Sequence, residues 1–350
     1  MDTVRVAVVG YGYAGRCFHS YLVRLAEGMA LHGVVTSRPG AAEQVRRLGA
    51  RVYPAFEQAL DDPQVDLVVL ATPNHLHASQ AIQAMAAGKH VVTDKPMCLS
   101  LAQADAMIAA SRQHGRVLSV FQNRRWDGDY LTVRQVLEEG WLGEVFLMEL
   151  AWHQYGRPRG WRSEKEHGGG KFLDLGAHLI DQAVQLVPAP VERVYARFFQ
   201  DGPWGTDVED HAHAVLSFAN GVDVHIDTSS VARRSKPRWY VLGSQGALVK
   251  EGLDPQERAM VAGDIDAARE LPEHRARLFL TAAGQPAEMV VETVSGRWRS
   301  FYENVVAAVQ GRAELAVTPE SARAALAVIE AAWQSVAEGQ AVRPPPPHSG

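Results

Sequence analysis

The run Val4–Val9 passes directly into Gly10-Tyr-Gly12-Tyr-Ala-Gly15. A largely apolar stretch of this length reads as a strand buried on both faces of a parallel sheet. Each glycine has its own task. The first permits a tight turn, the second lets the backbone approach a pyrophosphate, and the third lets the following helix pack closely on the strand. The helix N-terminus then presents free N–H groups to negative phosphates. The spacing alone is a weak signal, but here it stands between an apolar strand and a helix, as a dinucleotide fold requires. Gly10, Gly12 and Gly15, with Tyr13 and Ala14 between them, are predicted to hold a cofactor.

The first 120 or so residues keep alternating. Strands are predicted at Val4–Val9, Leu31–Val35, Val65–Ala71, His90–Thr93 and Val117–Val120. Helices are predicted from Ala14 to about Glu27, at Ala41–Leu48, at His77–Ala87 closed by Gly88, and from Ser100, a suitable N-cap, through Ser111. This rhythm predicts a doubly wound Rossmann sheet with its ligand at the carboxyl ends of the strands. Beyond Asn123 the pattern changes. A helix near Tyr130–Glu139, a strand at Val145–Trp152 and a helix at Phe172–Leu186 precede strands at Val191–Phe199, His211–Phe218, Val222–Ser229 and Arg238–Leu242. Ala219-Asn-Gly221 is a hairpin signal, so a large, mostly antiparallel open sheet is expected in an α+β domain. Residues 298–310 and Pro319–Glu338 read as helices, the latter with proline at its first position. The expected division is 1–122 for the nucleotide domain, 123–342 for the second domain, and a disordered tail over 343–350.

Composition narrows the partners. A net charge of −5 with 21% charged residues argues against nucleic acid or an anionic membrane. No stretch reaches the roughly 18 uninterrupted apolar residues of a membrane helix. Cys17 and Cys98 are the only cysteines, too few for a disulfide framework or a four-thiolate zinc site, so a reducing cytoplasm is expected.

The second strand ends in Val35-Thr-Ser37-Arg38. An NAD-selective site usually places an acid here for the ribose hydroxyls. None is present. Ser37 can donate to a phosphate and Arg38 can pair with it in a fork, which predicts NADP over NAD. The alternative is a solvated Arg38 that does not discriminate.

Far downstream, Gly168-Gly-Gly-Lys-Phe-Leu-Asp174-Leu-Gly-Ala-His178 sets a carboxylate and an imidazole at i, i+4, on one face of a helix. Read alone, such a pair is a surface contact, and Lys95 is a solvated strand-end lysine. Read with the dinucleotide signal, the three supply the proton handling that an alcohol oxidation needs.

Beside Gly168–His178, two further segments bear on this choice: Ala71-Thr-Pro-Asn74-His-Leu-His77 and Gly88-Lys-His-Val-Val-Thr-Asp94-Lys95-Pro96. Together with the glycine turn they resemble the glucose–fructose oxidoreductase/inositol dehydrogenase (Gfo/Idh/MocA) family, from Val6 to about Val342. Asp94 stands where the family has glutamate, and its carboxylate reaches about one methylene less far. Phe121–Asp127 and Gly252–Glu257 are similar to the bacterial branch that includes NADP-dependent scyllo-inositol dehydrogenases. The resemblance implies that Thr72, Pro73, Asn74 and His77 line the cofactor site. It implies that Asp94 and Pro96 position the nicotinamide ribose beside Lys95, that Gln122 and Asn123 meet the carboxamide, and that Trp161 and Arg162 close over the cofactor. It makes His178 the acid–base group, Asp174 a substrate or orienting contact, and Lys95 the group that polarises the reacting oxygen. Good turn chemistry at Thr72-Pro-Asn, helix initiation at His77 and core packing at Trp161 are the plainer alternatives.

Arg125, Trp126, Trp152, His153 and Arg157 mix donors and aromatic faces, as a polyol or sugar site does. Packing between domains is the rival reading. Expected activities are NADP-dependent oxidation of a cyclic polyol such as scyllo-inositol, reduction of a sugar-derived ketone such as 1,5-anhydrofructose, or oxidation of an aldose. A cofactor-binding regulator without turnover is the alternative of a different class. No metal is expected, because His75-x-His77 and His211-x-His213 lack a third ligand at a fitting spacing. A homodimer or homotetramer through the C-terminal sheet follows from the resemblance.

Overall fold

The computed structural model describes residues 3–346. Two compact units emerge. Among the described residues, one holds 3–123 together with Trp298–Arg323, and the other holds Arg124–Arg297 and 324–346.

The first unit is built on six parallel strands: β1 (Val4–Val9), β2 (Met29–Val35), β3 (Arg51–Tyr53), β4 (Leu67–Leu70), β5 (His90–Thr93) and β6 (Leu118–Val120). Their order, β3-β2-β1-β4-β5-β6, reverses between β1 and β4. That reversal is the switch point where a doubly wound sheet binds its ligand. Val6, Val8, Leu67, Val69, Val91 and Leu118 are buried, as strands covered on both faces require. The helix over Leu101–His114 starts where expected, with Ser100 Oγ accepting from Gln103 N, and runs to Gly115, which is left-handed at φ 59°. Segment 298–323, expected in the second domain, belongs here. The reason is aromatic: Trp298, Phe301 and Tyr302 are buried, Phe18 stacks on Trp298 at 5.6 Å, and Phe121 meets Phe301 edge-on at 5.1 Å. Arg323 clasps Asp105 through two nitrogens, and Ser119 Oγ donates to Val317 O at 2.8 Å.

The second unit is an eight-stranded sheet in the order β14-β13-β12-β11-β7-β10-β9-β8. Its strands are β7 (Val145–His153), β8 (Val191–Phe199), β9 (His211–Phe218), β10 (Asp223–Ser229), β11 (Trp239–Gly243), β12 (Gly246–Lys250), β13 (Ala276–Ala282) and β14 (Gln285–Val291). Only β7 and β10 run parallel. The predicted hairpin joins β9 to β10, with Gly221 at φ 84° donating to Phe218 O. Alternation divides the faces: Ala212, Ala214, Leu216 and Phe218 are buried, while His211, His213, Val215 and Ser217 are half-buried on the other side. The edge strand β8 is covered by its own chain, since Val194 bridges Val342 and Ala196 N donates to Ser335 Oγ. Pro344, within the segment expected to be a free tail, is buried; 347–350 lie outside the described residues. Among the described residues no helix is long and apolar enough to cross a membrane.

Both helices that matter most for function begin differently from the expectation of a continuous α-helix. Ala14–His19 and Phe172–Gly176 are π-wound, and α-helix follows only at Ser20–Leu25 and Ala177–Leu186. Wider turns of this kind recur at functional sites.

Candidate functional site

In the first unit the three glycines meet three different surroundings. Gly10 has φ +95°, and a Cβ there would lie 2.5 Å from the backbone oxygen of Ala71. A Cβ on Gly15 would lie 2.0 Å from Gly10 O. Gly12 is the exception, with nothing within 4 Å of its Cβ position among the described residues. Two glycines therefore serve the chain's own packing, and the middle one leaves open space where a pyrophosphate would approach. Arg38 is exposed beyond β2, and its Nη1 makes a long 3.4 Å contact with Tyr11 O in the same turn.

The loops after β4 and β5 are tied together from beneath. His77 is fully buried; its Nδ1 lies 3.0 Å from Pro96 O and its Nε2 3.0 Å from Thr72 O. Burial lowers its pKa, with Asp94 pulling the other way. His77 was expected to line the cofactor site; its two ring nitrogens instead brace the loops carrying Thr72 and Pro96. Thr72 Oγ1 donates to Gln80 Oε1 at 2.7 Å. The Lys95–Pro96 peptide is cis.

Asp94 closes a buried chain of polar groups that sequence reasoning missed. Its Oδ1 accepts the Lys95 N–H at 2.8 Å, and its Oδ2 lies 3.5 Å from His19 Nε2. His19 Nδ1 is 2.6 Å from the Tyr302 hydroxyl. Burial pushes the Tyr302 phenol well up, so it stays protonated and donates to His19 Nδ1. The remaining imidazole N–H then faces Asp94. Burial alone would raise the Asp94 carboxyl; His19, and the charges on Lys95 and His77, more than offset it and hold it low. Asp94 thus stays an anion beside the Lys95 backbone. At the end of β6, Gln122 Oε1 and Asn123 Nδ2 are buried without a hydrogen-bond partner among the described residues. One acceptor and one donor left this way suit a carboxamide, which offers the complementary pair.

The second unit presents Asp174 and His178 on the segment after Gly170. Asp174 is half-buried and its Oδ2 lies 3.2 Å from Arg162 Nε. Arg162 lies 4.4 Å over the Trp161 ring. His178 is buried, its ring stacked on Trp152 at 6.0 Å and 26°. Trp152 is flanked by Arg124 at 4.7 Å and Arg238 at 5.6 Å. Trp152, expected against substrate, is thus a buried support for the imidazole. Arg125 is also redirected: it is buried and grips Asp181 through two bonds of 2.8 and 2.6 Å. Trp126 offers its backbone oxygen to Arg297 N and Gln256 Nε2. His153 Nε2 lies 3.0 Å from Asp227 Oδ1, while Arg157 is exposed.

The start of this segment is held by Glu209, which with Asp207 and Asp210 reads in the sequence as a solvated acidic loop and is buried instead. Its Oε1 accepts the Phe172 N–H at 2.6 Å, and a Cβ on Gly170 would lie 2.4 Å from its carboxylate oxygens. Burial raises the Glu209 pKa from 4.5 to about 7. The raised value means that the folded chain holds this proton where the unfolded chain has lost it. Its contribution to stability is full below about pH 4.5 and is lost as pH rises to about 7. Glu209→Gln keeps an acceptor for Phe172 but cannot ionise. Relative to wild type, it is expected to gain roughly 3 kcal/mol between pH 4 and pH 8, at 1.36 kcal/mol per pKa unit. Urea unfolding of both proteins at the two pH values reads this; an equal difference at both would refute it.

An open turn at Gly12, a strand-end lysine beside a half-buried anion, and a supported imidazole mark a nicotinamide-dependent oxidoreductase. Comparison with known proteins agrees. Residues 4–122 match the oxidoreductase family with an NAD-binding Rossmann fold, and residues 130–249 match the GFO/IDH/MocA C-terminal domain. The chain is 35% identical to the uncharacterized oxidoreductase YdgJ of Escherichia coli, over 95% of this chain and 96% of that one. It is 29% identical to the scyllo-inositol 2-dehydrogenase (NADP(+)) IolW of Bacillus subtilis, over 98% and 96%. The solved structure of the oxidoreductase yvaA from Bacillus subtilis superposes with a TM-score of 0.92 at 28% identity, covering 98% of both chains. The chain belongs to the Gfo/Idh/MocA oxidoreductase family.

Proposed function

We propose that this enzyme moves a hydride between NADP and a secondary alcohol or ketone of a cyclic polyol or sugar, with scyllo-inositol and scyllo-inosose as the first candidates. The observation that carries the reading is the buried, Trp152-supported His178 with Asp174 four residues earlier. Likeness over the whole chain to a scyllo-inositol 2-dehydrogenase supports the substrate class.

The nicotinamide supplies the hydride acceptor or donor when bound. Gly10, Gly12, Tyr13, Ala14 and Gly15 would hold the pyrophosphate, Thr72, Pro73 and Asn74 would line the site, and Gln122 and Asn123 would orient the carboxamide. Asp94 would hold the ribose and the Lys95 backbone together. His178 takes the hydroxyl proton at an imidazole nitrogen during oxidation and returns it during reduction. Lys95 donates to the reacting oxygen and stabilises its developing negative charge. Asp174, through Arg162, ties the loop carrying Trp161 to the segment carrying His178. Arg157 is left to reach substrate or cofactor.

Ser37 and Arg38 would take the 2′-phosphate, since no acid stands at the end of β2. Arg38→Ala is therefore expected to raise the KM for NADP at least tenfold and to leave that for NAD within about twofold, a loss of one charge-assisted contact. Initial rates at the reduced-nicotinamide absorbance band, with both cofactors across a polyol and sugar panel, test cofactor and substrate together. Equal effects on both cofactors would remove the NADP assignment, and no turnover on any polyol, sugar or ketose would remove the substrate class. The half-buried face of the eight-stranded sheet supports assembly as a homodimer or homotetramer, and two unbridged cysteines support a cytoplasmic setting.

A further inference from the structure

The open face of the eight-stranded sheet gathers side chains that the proposed hydride chemistry does not use. His211 has no third ligand nearby in sequence, yet the fold brings two groups to it from other strands. His153 ends β7, Asp227 sits in β10 and His211 begins β9. The pairing register sets Ser229 opposite both His211 and His153, with Asp227 two residues before it, so all three side chains rise on one face. His153 Nε2 lies 3.0 Å and His211 Nε2 3.5 Å from the same oxygen, Asp227 Oδ1. One ligand atom from each of the three lies within 4.8 Å of the others.

From this geometry we propose that His153, His211 and Asp227 form a binding site for a divalent cation of the zinc class. A tetrahedral zinc ion with ligands at about 2.0–2.1 Å separates them by about 3.3 Å; the two histidine–carboxylate spacings, 3.0 and 3.5 Å, lie within a few tenths of an ångström of that, and the third, bounded at 4.8 Å, closes by a turn of the His211 ring. Two imidazoles and one carboxylate, with a fourth position left open, are a donor set such ions accept and magnesium or calcium do not favour. His153 and Asp227 have side chains only 6% and 8% exposed, so the pair is held before any ion arrives; His211, 36% exposed in the single chain, completes the set. Binding moves one proton. His153 Nδ1 now accepts a long 3.4 Å bond from Lys236 N, and its Nε2–H faces Asp227. As Nε2 takes the cation, its proton is exchanged through solvent to Nδ1, so the ring stays neutral and that long bond is lost.

The structure also contains a competitor. Lys236 Nζ lies 2.6 Å from the other oxygen, Asp227 Oδ2, and its side chain is 51% exposed. The lysine neutralises the carboxylate that the cation would use, without occupying the oxygen the histidines face. Removing it should therefore strengthen cation binding, a sign that loss of a purely structural surface residue would not give.

The test uses untagged, chelator-treated full-length protein titrated with Co2+ alone, read by visible absorbance, with Zn2+ added afterwards as competitor. One Co2+ per chain is expected, displaced by Zn2+. His211→Ala should weaken binding at least tenfold while leaving the melting temperature of the cation-free protein unchanged. Lys236→Ala should tighten it severalfold. Asp227→Asn should weaken it as His211→Ala does. No stoichiometric uptake, uptake unaltered in His211→Ala, or weaker uptake in Lys236→Ala would overturn the site. The readout is cation binding, so the outcome is independent of whether the oxidoreductase assignment stands.

Discussion

Lys95→Met and His178→Ala are each expected to lower turnover by at least about 100-fold, with reduced cofactor still binding within a few-fold of wild type. A positioned acid–base group is worth roughly 10²–10⁴ in rate, and a donor aimed at a developing oxyanion contributes on a similar scale. Lys95 stands between Asp94, held low by its neighbours, and Pro96, whose carbonyl is pinned by His77. Methionine keeps the length and loses the charge, so the substitution would remove the proposed donor to the reacting oxygen together with the charge that helps hold Asp94 low. His178 needs a second control because alanine also removes the ring stacked on Trp152. His178→Gln retains a planar polar group there without acid–base capacity. Both His178 variants should lose turnover alike, and the limb of the wild-type pH–rate profile that reports an imidazole should vanish. Cofactor affinity by nicotinamide fluorescence and the melting temperature separate this from unfolding. Near-normal turnover in either the lysine or the histidine variants would end that residue's assignment.

The parts of the molecule legible in the sequence are those governed by local pattern. Val4–Val9, Val191–Phe199 and His211–Phe218 have their expected bounds because burial alternates or saturates over the whole element. Pro319–Glu338 does too, its start fixed by proline. Strand β3 went unseen because three residues carry no period, and it forms by pairing Gly33–Val35 with Arg51–Tyr53. Strands β13 and β14 escaped for the opposite reason. Two of their outward residues, Phe279 and Val290, are apolar and exposed, so a half-buried alternation is blurred. The site shows the same division. The glycine turn, Lys95 and the Asp174–His178 pair are local motifs. The Tyr302–His19–Asp94 chain joins residues 283 positions apart, and the His153–His211–Asp227 cluster joins three strands, so neither has a spacing to read. Arg125 shows the limit of reading side-chain type alone: a guanidinium suits a sugar hydroxyl and a buried carboxylate equally, and Asp181 decides between them.

Gly12→Ala and Gly15→Ala, two substitutions in one motif, are expected to fail in different ways. A Cβ at Gly15 meets Gly10 O at 2.0 Å and Gly10 C at 2.9 Å, both backbone atoms that no rotamer change can move aside. Helix and glycine turn must separate, and overpacking of this kind costs about 1–3 kcal/mol. Gly15→Ala should therefore lower the melting temperature of the cofactor-free protein and weaken cofactor binding as a consequence. Gly12 has neither a positive φ nor, among the described residues, any neighbour within 4 Å of its Cβ position. Alanine there should leave the cofactor-free protein as stable as wild type, or more so by up to about 1 kcal/mol through loss of unfolded-chain freedom. Its methyl group would stand where the pyrophosphate has to approach, and dissociation constants for both NADP and NAD should rise at least tenfold. Melting curves without cofactor and fluorescence titrations with it form the two-by-two comparison. If Gly12→Ala binds cofactor as wild type does, the space beside Gly12 is not where the pyrophosphate rests. If Gly15→Ala melts as wild type does, the turn yields more readily than a backbone contact of that length permits.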